Sequence, residues 1–274
     1  TATTSQAITQ NTTAPTVAAT PTGTLDCNNS TIQITSTVNP TSVTYTWSGP
    51  GIVSGQSTGM ITVNQPGTYS LVVTNPANTC TNSITNINVT QNTVAPVVTT
   101  NPNPTLTCSS TSVSIGANST PNTNVTINWT GPNVCGATNT FTTDACAAGT
   151  YTITVTDNIN GCAGSATIAV IQDTNTPVVT TSSSGSISCV NNTVQVVATT
   201  TSSPVSYTWN GTGLISGANT ASAVVNQSGT YTVIVTNTSN GCSTTQTVNV
   251  AINTNSPSVT ISASNASITC TNGT

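Results

Sequence analysis

The 274-residue sequence contains no lysine, arginine or histidine, and all four of its acidic residues are aspartates. Proteins that bind nucleic acids place Lys and Arg side chains against phosphates, so this composition excludes a nucleic-acid partner. It also excludes a polybasic membrane anchor. No apolar run approaches the roughly 20 residues of a transmembrane helix, which predicts that this segment has no membrane span.

Apolar and aromatic residues are scarce as well. The hydrophobic fraction is 34%, whereas globular domains average about 45–50% apolar residues. Thr, Ser and Asn replace them, a composition that also occurs in disordered, mucin-like stalks. A disordered chain keeps no strict sequence register, however, and the regular repeat in this sequence favours a folded array.

A repeat with a period of about 81 residues runs through the sequence and indicates tandem domains. Cys27, Cys108, Cys189 and Cys270 are evenly spaced, and each of the first three is followed by a Trp, a Tyr and a second Cys. The spacing from Trp to Tyr and from Tyr to the second Cys is identical in every copy. We predict the end of one repeat at 1–14, complete repeats at 15–95, 96–176 and 177–256, and the start of a fourth at 257–274.

Within each repeat, apolar and polar residues alternate over short runs, which is typical of half-buried strands. In "GTYTVIVTN", Tyr231, Val233 and Val235 fall on one face, and the intervening positions carry mostly threonine. Turn residues separate about seven such runs per repeat, and no helical period occurs. The sequence therefore predicts an all-β fold of tandem immunoglobulin-like antiparallel sandwiches. The predicted core aromatics are Trp47, Trp129, Trp209, Tyr69, Tyr151 and Tyr231. For the tryptophans, a sugar-stacking surface is the alternative.

The cysteines predict disulfides and an oxidising, extracellular setting. We expect a bridge within each complete repeat, at one pole of its sandwich: Cys27–Cys80, Cys108–Cys162 and Cys189–Cys242. Closing a loop of about 50 residues in this way contributes roughly 4 kcal/mol. Cys135 and Cys146 occur only in the second repeat, where a bridge across a local hairpin is the simpler interpretation and a metal or redox pair is the alternative. We expect Cys270 to pair with a residue beyond this segment.

The sequence offers little for chemistry. General acid–base catalysis requires a positioned His, Lys or carboxylate, and no aspartate recurs between the repeats. Asp144 and Asp157 could mimic a glycosidase pair, but solvated strand-edge and turn residues are the simpler interpretation. Calcium needs several converging oxygen ligands, whereas the linkers carry a single Asp. We therefore predict no enzymatic activity, no cofactor and no bound metal.

The repeated pattern Cys, "YTWSGPG", "GTYSLVVTN", Cys resembles the immunoglobulin-like or PKD-like repeats of giant Bacteroidota cell-surface adhesins. These include SprB-type gliding-motility adhesins exported by the type IX secretion system. The resemblance extends over essentially the whole sequence. It implies an extracellular surface protein of many tandem domains, and it transfers no catalytic residue.

Two functional hypotheses follow. The first is a structural segment of a long extracellular surface protein, in which disulfide-clipped sandwiches and short Pro-containing linkers form a semi-rigid stalk or filament that supports adhesion. Its partners are the neighbouring repeats and other copies in a filament or bundle, because near-absent charge removes repulsion between copies. The alternative is an adhesive module whose sandwich loops bind surface glycans directly.

Overall fold

The structure, a computed structural model, describes residues 3–255 and 259–260. Every regular element in this described part is a β-strand. The described chain divides into two compact units. The first contains the described residues up to Thr105 together with Ser112–Ile171, and the second contains Leu106–Thr111 and the described residues from Gln172 onward. A short stretch around Cys108 therefore belongs to the second unit.

The first sandwich is built from β1 (Thr16–Pro21), β2 (Leu25–Asp26), β3 (Ile32–Asn39), β4 (Thr44–Ser48), β5 (Ile52–Ser54), β6 (Met60–Val63), β7 (Gly67–Thr74), β8 (Thr81–Val89) and β9 (Gln91–Asn92). One antiparallel sheet has the order β1-β3-β6-β5, and the facing sheet has the order β4-β7-β8. The short strands β2 and β9 pair in parallel, with Leu25 opposite Gln91 and Asp26 opposite Asn92. This parallel pair lies beside the exit of the chain from the sandwich.

The second strand set consists of β10 (Val97–Thr100), β11 (Thr105–Thr107), β12 (Val113–Thr120), β13 (Val125–Thr130), β14 (Thr142–Ala145), β15 (Gly149–Asp157) and β16 (Ala163–Asp173). Strands β10-β12-β14 form one antiparallel sheet, and β13-β15-β16 are neighbours in another. The order β10-β12-β14 corresponds to β1-β3-β6 of the first sandwich, with an isolated bridge between Val134 and Ala145 in place of the β5–β6 pairing, so the sequence repeat is also a structural repeat.

The third sandwich lies in the second unit and contains β17 (Val179–Ser183), β18 (Ile187–Ser188), β19 (Val194–Thr200), β20 (Val205–Asn210), β21 (Leu214–Ser216), β22 (Ser222–Val225), β23 (Gly229–Asn237), β24 (Ser243–Val250) and β25 (Ile252–Asn253). Its sheets have the orders β17-β19-β22-β21 and β20-β23-β24. The parallel pair β18–β25 has the register of β2–β9, with Ile187 opposite Ile252 and Ser188 opposite Asn253. The all-β, immunoglobulin-like fold class predicted from the sequence is confirmed.

Alternating side chains form the core of each sandwich, as a period of two residues requires. In β23, Tyr231, Val233 and Val235 are buried against the facing sheet. The three tryptophans are also buried, with exposed fractions of 5%, 2% and 2%. Each indole N–H donates to a carbonyl eleven residues downstream, at 2.9–3.0 Å: Trp47 to Thr58, Trp129 to Thr140 and Trp209 to Thr220.

The repeated tyrosine explains the glycine of the "W-x-G" motif. The hydroxyl of Tyr231 lies 2.7 Å from the carbonyl of Gln227, four residues upstream, so the ring is anchored at the strand entrance much like the tyrosine corner of other sandwiches. The ring packs against Gly211, where an added Cβ would lie 2.3 Å from a ring carbon. Glycine is the residue type that fits beneath this ring. Tyr69 over Gly49 and Tyr151 over Gly131 repeat the contact.

Candidate functional site at the disulfide junctions

Disulfide connectivity differs from the sequence prediction. Cys27 bonds to Cys162 and Cys108 bonds to Cys242, over separations of 135 and 134 residues. Each bridge therefore joins the first Cys of one sequence repeat to the second Cys of the following repeat. The predicted within-repeat pairs Cys27–Cys80, Cys108–Cys162 and Cys189–Cys242 are wrong.

The physical reason is that the two cysteines of one repeat lie at opposite ends of one strand. Cys80 immediately precedes β8, whereas Cys27 follows β2, which pairs with β9 just beyond the other end of β8. β8 has nine residues, and a strand rises about 3.3 Å per residue, so the cysteines are about 30 Å apart. A disulfide requires Cα atoms within about 7 Å of each other. The geometry therefore excludes a bridge within the repeat.

The first junction comprises Cys27, linker residues 92–94 and turn residues 160–162. The Cα atoms of Cys27 and Cys162 are 5.1 Å apart, and the Cys27 N–H donates to the carbonyl of Asn160 at 3.0 Å. Gly161 has a φ of +68°, and a Cβ on it would lie 2.1 Å from the side-chain oxygen of Asn28. Both the backbone conformation and the close approach require glycine at this turn.

Asn160 connects every part of the first junction. Its side chain is 2% exposed. Its Nδ2 donates to Oδ1 of Asn92 at 3.1 Å and to the carbonyl of Val94 at 2.9 Å. Its Oδ1 accepts the N–H of Cys162 at 2.9 Å. Both the nitrogen and the oxygen of this buried amide are hydrogen-bonded. These hydrogen bonds hold the turn against the linker in addition to the disulfide.

The second junction repeats this arrangement within the second unit and comprises Cys108, residues 173–175 and residues 240–242. Asn240 is 1% exposed, and its Nδ2 donates to Oδ1 of Asp173 and to the carbonyl of Asn175, each at 3.0 Å. Its Oδ1 accepts the N–H of Cys242 at 2.9 Å. Asp173 takes the place of Asn92, and the hydrogen bond from Asn240 lowers the pKa of this carboxyl below its ordinary value.

A third asparagine turn has the same contacts without a bridge. The Nδ2 of Asn78 donates to Oδ1 of Asn11 at 3.2 Å and to the carbonyl of Thr13 at 3.0 Å. Its Oδ1 accepts the N–H of Cys80 at 3.0 Å. Cys80 is half-buried and Cys189 is exposed, and neither is bonded to another cysteine of the described residues. Cys270, which we expect to pair with a residue beyond this segment, lies outside the described residues.

These asparagines were missed by sequence reasoning, although the sequence carries a signal for them. An Asn lies two residues before the second Cys of every repeat, and Asn or Asp recurs at one linker position from repeat to repeat. The signal is weak because Asn is abundant throughout the chain. The turn residues are Asn78, Asn160 and Asn240, and the linker residues are Asn11, Asn92, Asp173 and Asn253.

Cys135 and Cys146 form a bridge between positions eleven residues apart, with Cα atoms 6.0 Å from each other. The N–H of Cys135 donates to the carbonyl of Asp144 at 2.9 Å, and the N–H of Cys146 donates to the carbonyl of Asn133 at 3.0 Å. The bridge therefore closes a local loop that backbone hydrogen bonds already hold together.

Asp26 and Asp157 each serve a local turn, as Asp173 does where its Oδ1 accepts the N–H of Asn175 at 3.2 Å. Oδ1 of Asp26 accepts the N–H groups of Asn28 and Asn29, and Oδ1 of Asp157 accepts the N–H of Ile159. Within residues 3–255 and 259–260, no group of three or more His, Cys, Asp or Glu side chains is placed to hold a metal ion. In the same part of the chain, no helix is long and apolar enough to cross a bilayer.

No protein family and no curated protein matches this sequence. Solved structures do match. Three N-terminal domains of the Highly Immunogenic Outer Capsid protein (Hoc) of bacteriophage RB49 align over 87% of this chain and 99% of theirs, with 14% identity and a TM-score of 0.35. Extracellular domains 3–5 of Drosophila OTK align over 81% and 91%, with 15% identity and a TM-score of 0.28. The N-terminal eight Ig domains of Down Syndrome Cell Adhesion Molecule align over 90% of this chain and 41% of theirs, with 11% identity and a TM-score of 0.37. At these values the likeness supports no functional argument.

Proposed function

We propose that this chain is a tension-bearing segment of a long extracellular surface protein, in which staggered disulfides make a stalk or filament of tandem sandwiches resistant to extension. The observation that carries the proposal is the connectivity of the bridges, which link successive repeats. A bridge inside one domain stabilises that domain alone, whereas a bridge to the following repeat also connects the two repeats covalently. The presence of disulfides supports an oxidising, extracellular compartment.

The two long bridges are interleaved along the sequence. Cys108 lies inside the loop closed by Cys27–Cys162, and Cys162 lies inside the loop closed by Cys108–Cys242. A covalent route from Cys27 to Cys242 therefore needs only the backbone from Cys108 to Cys162, instead of the whole intervening chain. The Cys135–Cys146 bridge spans a sequence separation of 11 and shortens this route further. Tension along the chain is carried by this short route even when strands separate.

Each long bridge also restricts the unfolded chain. For a closed loop of about 135 residues, the chain-entropy estimate is about 5 kcal/mol, more than the roughly 4 kcal/mol of a within-repeat bridge. A core with few aromatic residues needs such support. Covalent connection between repeats thus serves both stability and resistance to extension.

The biological setting we propose is that of the giant Bacteroidota surface adhesins, including those of gliding motility that use type IX secretion. In this setting the segment holds an adhesive domain away from the cell, and its partners are the neighbouring repeats and other copies in a filament or bundle. The predicted repeat boundaries at 15–95, 96–176 and 177–256 define the proposed mechanical modules. Near-absent charge permits close lateral approach of copies.

Direct glycan binding by the sandwich loops is the less favoured function. The tryptophans considered as a sugar-stacking surface are buried in the cores, so this function would depend on the polar loops alone. A glycan array with the intact chain tests it. We expect no specific binding, and strong, competable binding of one sugar class would favour the adhesive-module function instead.

Peptide mapping under non-reducing conditions tests the proposed function itself. We expect peptides linked through Cys27–Cys162 and through Cys108–Cys242. Recovery of Cys27–Cys80 or Cys108–Cys162 linkages in the native protein would remove the covalent connection between repeats, and with it the tension-bearing proposal. A mapping in the presence of a thiol-blocking reagent prevents exchange during digestion.

A further inference from the structure

The two disulfide junctions share one dipeptide, because Asn-Gly occurs at residues 160–161 and again at residues 240–241. We propose that Asn160 and Asn240 are latent deamidation sites. The closed junction holds both side chains unreactive, and an opened junction converts them into aspartate or isoaspartate, after which it does not close as before. This inference rests on the junctions of the proposed function and gives them a chemical record of opening.

The structure requires both residues of this dipeptide. The asparagine amide holds the turn against the linker in each junction. The glycine has a φ of +68° at Gly161 and of +73° at Gly241, and a Cβ on Gly241 would lie 2.6 Å from Cβ of Ser109. Glycine adopts this conformation without strain. Asparagine is a thermolabile residue, and it reacts fastest before glycine, which has no side chain to shield the attacking nitrogen.

Deamidation at such a pair is an intramolecular attack followed by hydrolysis. The backbone nitrogen of the glycine loses its proton to hydroxide and attacks Cγ of the asparagine. A new N–C bond forms, the Cγ–Nδ2 bond breaks, and Nδ2 takes a proton from water and leaves as ammonia. Water then opens the succinimide ring at either carbonyl, which yields aspartate or isoaspartate. The reaction consumes water and involves no oxidant or reductant.

The closed first junction opposes each of these steps. The N–H of Gly161 donates to the carbonyl of Asp157 at 2.8 Å, so its proton is held away from base. The groups that Nδ2 of Asn160 contacts, Oδ1 of Asn92 and the carbonyl of Val94, are acceptors and supply no proton to departing ammonia. The side chain is 2% exposed, which keeps out the water that the reaction needs.

The second junction has the same protection and a more severe outcome once it reacts. The N–H of Gly241 donates to the carbonyl of Asn237 at 2.8 Å. Nδ2 of Asn240 donates to Oδ1 of Asp173 at 3.0 Å, so an aspartate in its place brings two carboxylates to hydrogen-bond distance, where like charges repel. In the first junction the new carboxylate faces Asn92, whose amide can rotate to donate. Deamidation should therefore open the second junction more completely.

Deamidation rates measured site by site in one protein test the proposal. The protein is incubated at mildly alkaline pH, either intact or reduced, alkylated and unfolded in guanidinium chloride, and peptic peptides are analysed by mass spectrometry. Asn210 is the internal reference, because it is exposed, is followed by glycine and lies outside the junctions. In the intact protein, Asn160 and Asn240 should react at least about tenfold more slowly than in the unfolded chain, since reaction requires local opening. Equal rates in the two states, or equal slowing of Asn210, would overturn the proposal.

Removal of one bridge tests whether opening triggers the reaction. Cys27→Ser with Cys162→Ser removes the bridge of the first junction and leaves the second bridge in place. Asn160 should then deamidate faster than Asn240 in the same molecule. An unchanged rate at Asn160 would show that loss of the bridge does not expose this site, contrary to the proposal.

Refolding of a deamidation mimic tests whether the change is irreversible. Reduced Asn240→Asp protein, oxidised in a glutathione redox buffer, should form the Cys108–Cys242 bridge in about tenfold lower yield than the unmodified protein, because the two carboxylates repel. Asp173→Asn in the same chain is the matched control and should raise the yield. Full yield without this second substitution, or no recovery with it, would refute the role of the carboxylate pair.

Peptide maps of the same samples distinguish this inference from the function on which it rests. If Cys27–Cys162 and Cys108–Cys242 are present while both asparagines deamidate as fast as in the unfolded chain, the tension-bearing function stands and the latent sites are refuted. If the two bridges are absent from the unmodified protein, the tension-bearing function itself fails.

Discussion

Removal of the long bridges should change the extension of the chain under force in discrete steps. With all bridges intact, the shortest covalent route from Cys27 to Cys242 runs from Cys162 back to Cys108 and bypasses the loop closed by Cys135–Cys146. This route is about 43 residues long, which at roughly 3.6 Å per extended residue gives a contour length of about 150 Å. Segments outside the two cysteines contribute the same length in every variant, so differences between variants report the route alone.

Replacement of the two cysteines of one long bridge by serines leaves a covalent route through the other long bridge. Without Cys108–Cys242, the route runs from Cys162 directly to Cys242, about 80 residues with a contour length of about 290 Å. Without either long bridge, about 204 residues remain once the Cys135–Cys146 loop is subtracted, or about 730 Å. The step from one long bridge to none is therefore about 450 Å. Single-molecule pulling with handles at the two chain ends measures these lengths directly.

A double substitution of Cys80 and Cys189 provides the matched control. Neither residue is bonded in the described chain, so Cys80→Ser with Cys189→Ser should leave the extension unchanged. If the bridges closed within repeats, this same variant would lose two of three bridges and lengthen by several hundred ångströms. Such lengthening, or equal extension of the bridged and bridge-free proteins, would refute the staggered connectivity.

Three further predictions concern stability, each measured by denaturant unfolding with the disulfides intact. Gly131→Ala should destabilise the chain by about 1–3 kcal/mol, because the new Cβ overlaps the buried ring of Tyr151. Gly23→Ala is the control and should have little effect, because a Cβ at Gly23 meets nothing within 4 Å. Equal effects of the two substitutions would contradict the packing argument. Asn160→Ala should cost about 1–3 kcal/mol, because it leaves the N–H of the buried Cys162 without its side-chain acceptor. A neutral result would show that the disulfide alone holds the junction. Burial raises the pKa of Tyr69 and Tyr231 above the ordinary value of 10.0. The unfolded chain therefore releases these protons at a lower pH than the folded chain does, and the free energy of unfolding should fall as pH rises above about 10. A free energy of unfolding that stays constant through the tyrosinate absorbance transition would contradict this pH dependence.

Local patterns in the sequence predicted the sandwich because they act over a few residues. The alternation of apolar and polar residues in β23 specifies which side chains enter the core. The fixed sequence spacing from Trp to Tyr places these two aromatic side chains in one layer. The buried tyrosine also accounts for the glycine two residues after each Trp. No comparable local signal predicted the roles of Asn160 and Asn240, since their amides bind linker side chains that are 68 and 67 positions away in the sequence.

The repeat length and the all-β class followed from the order of the residues, because the periods of the sequence are properties of the chain before it folds. The pairing of the cysteines did not follow. With evenly spaced first cysteines, pairings within a repeat and between repeats are equally compatible with the period. Folding resolves the choice, because it places the two cysteines of one repeat at opposite ends of β8 and brings Cys27 within 5.1 Å of Cys162, measured between Cα atoms.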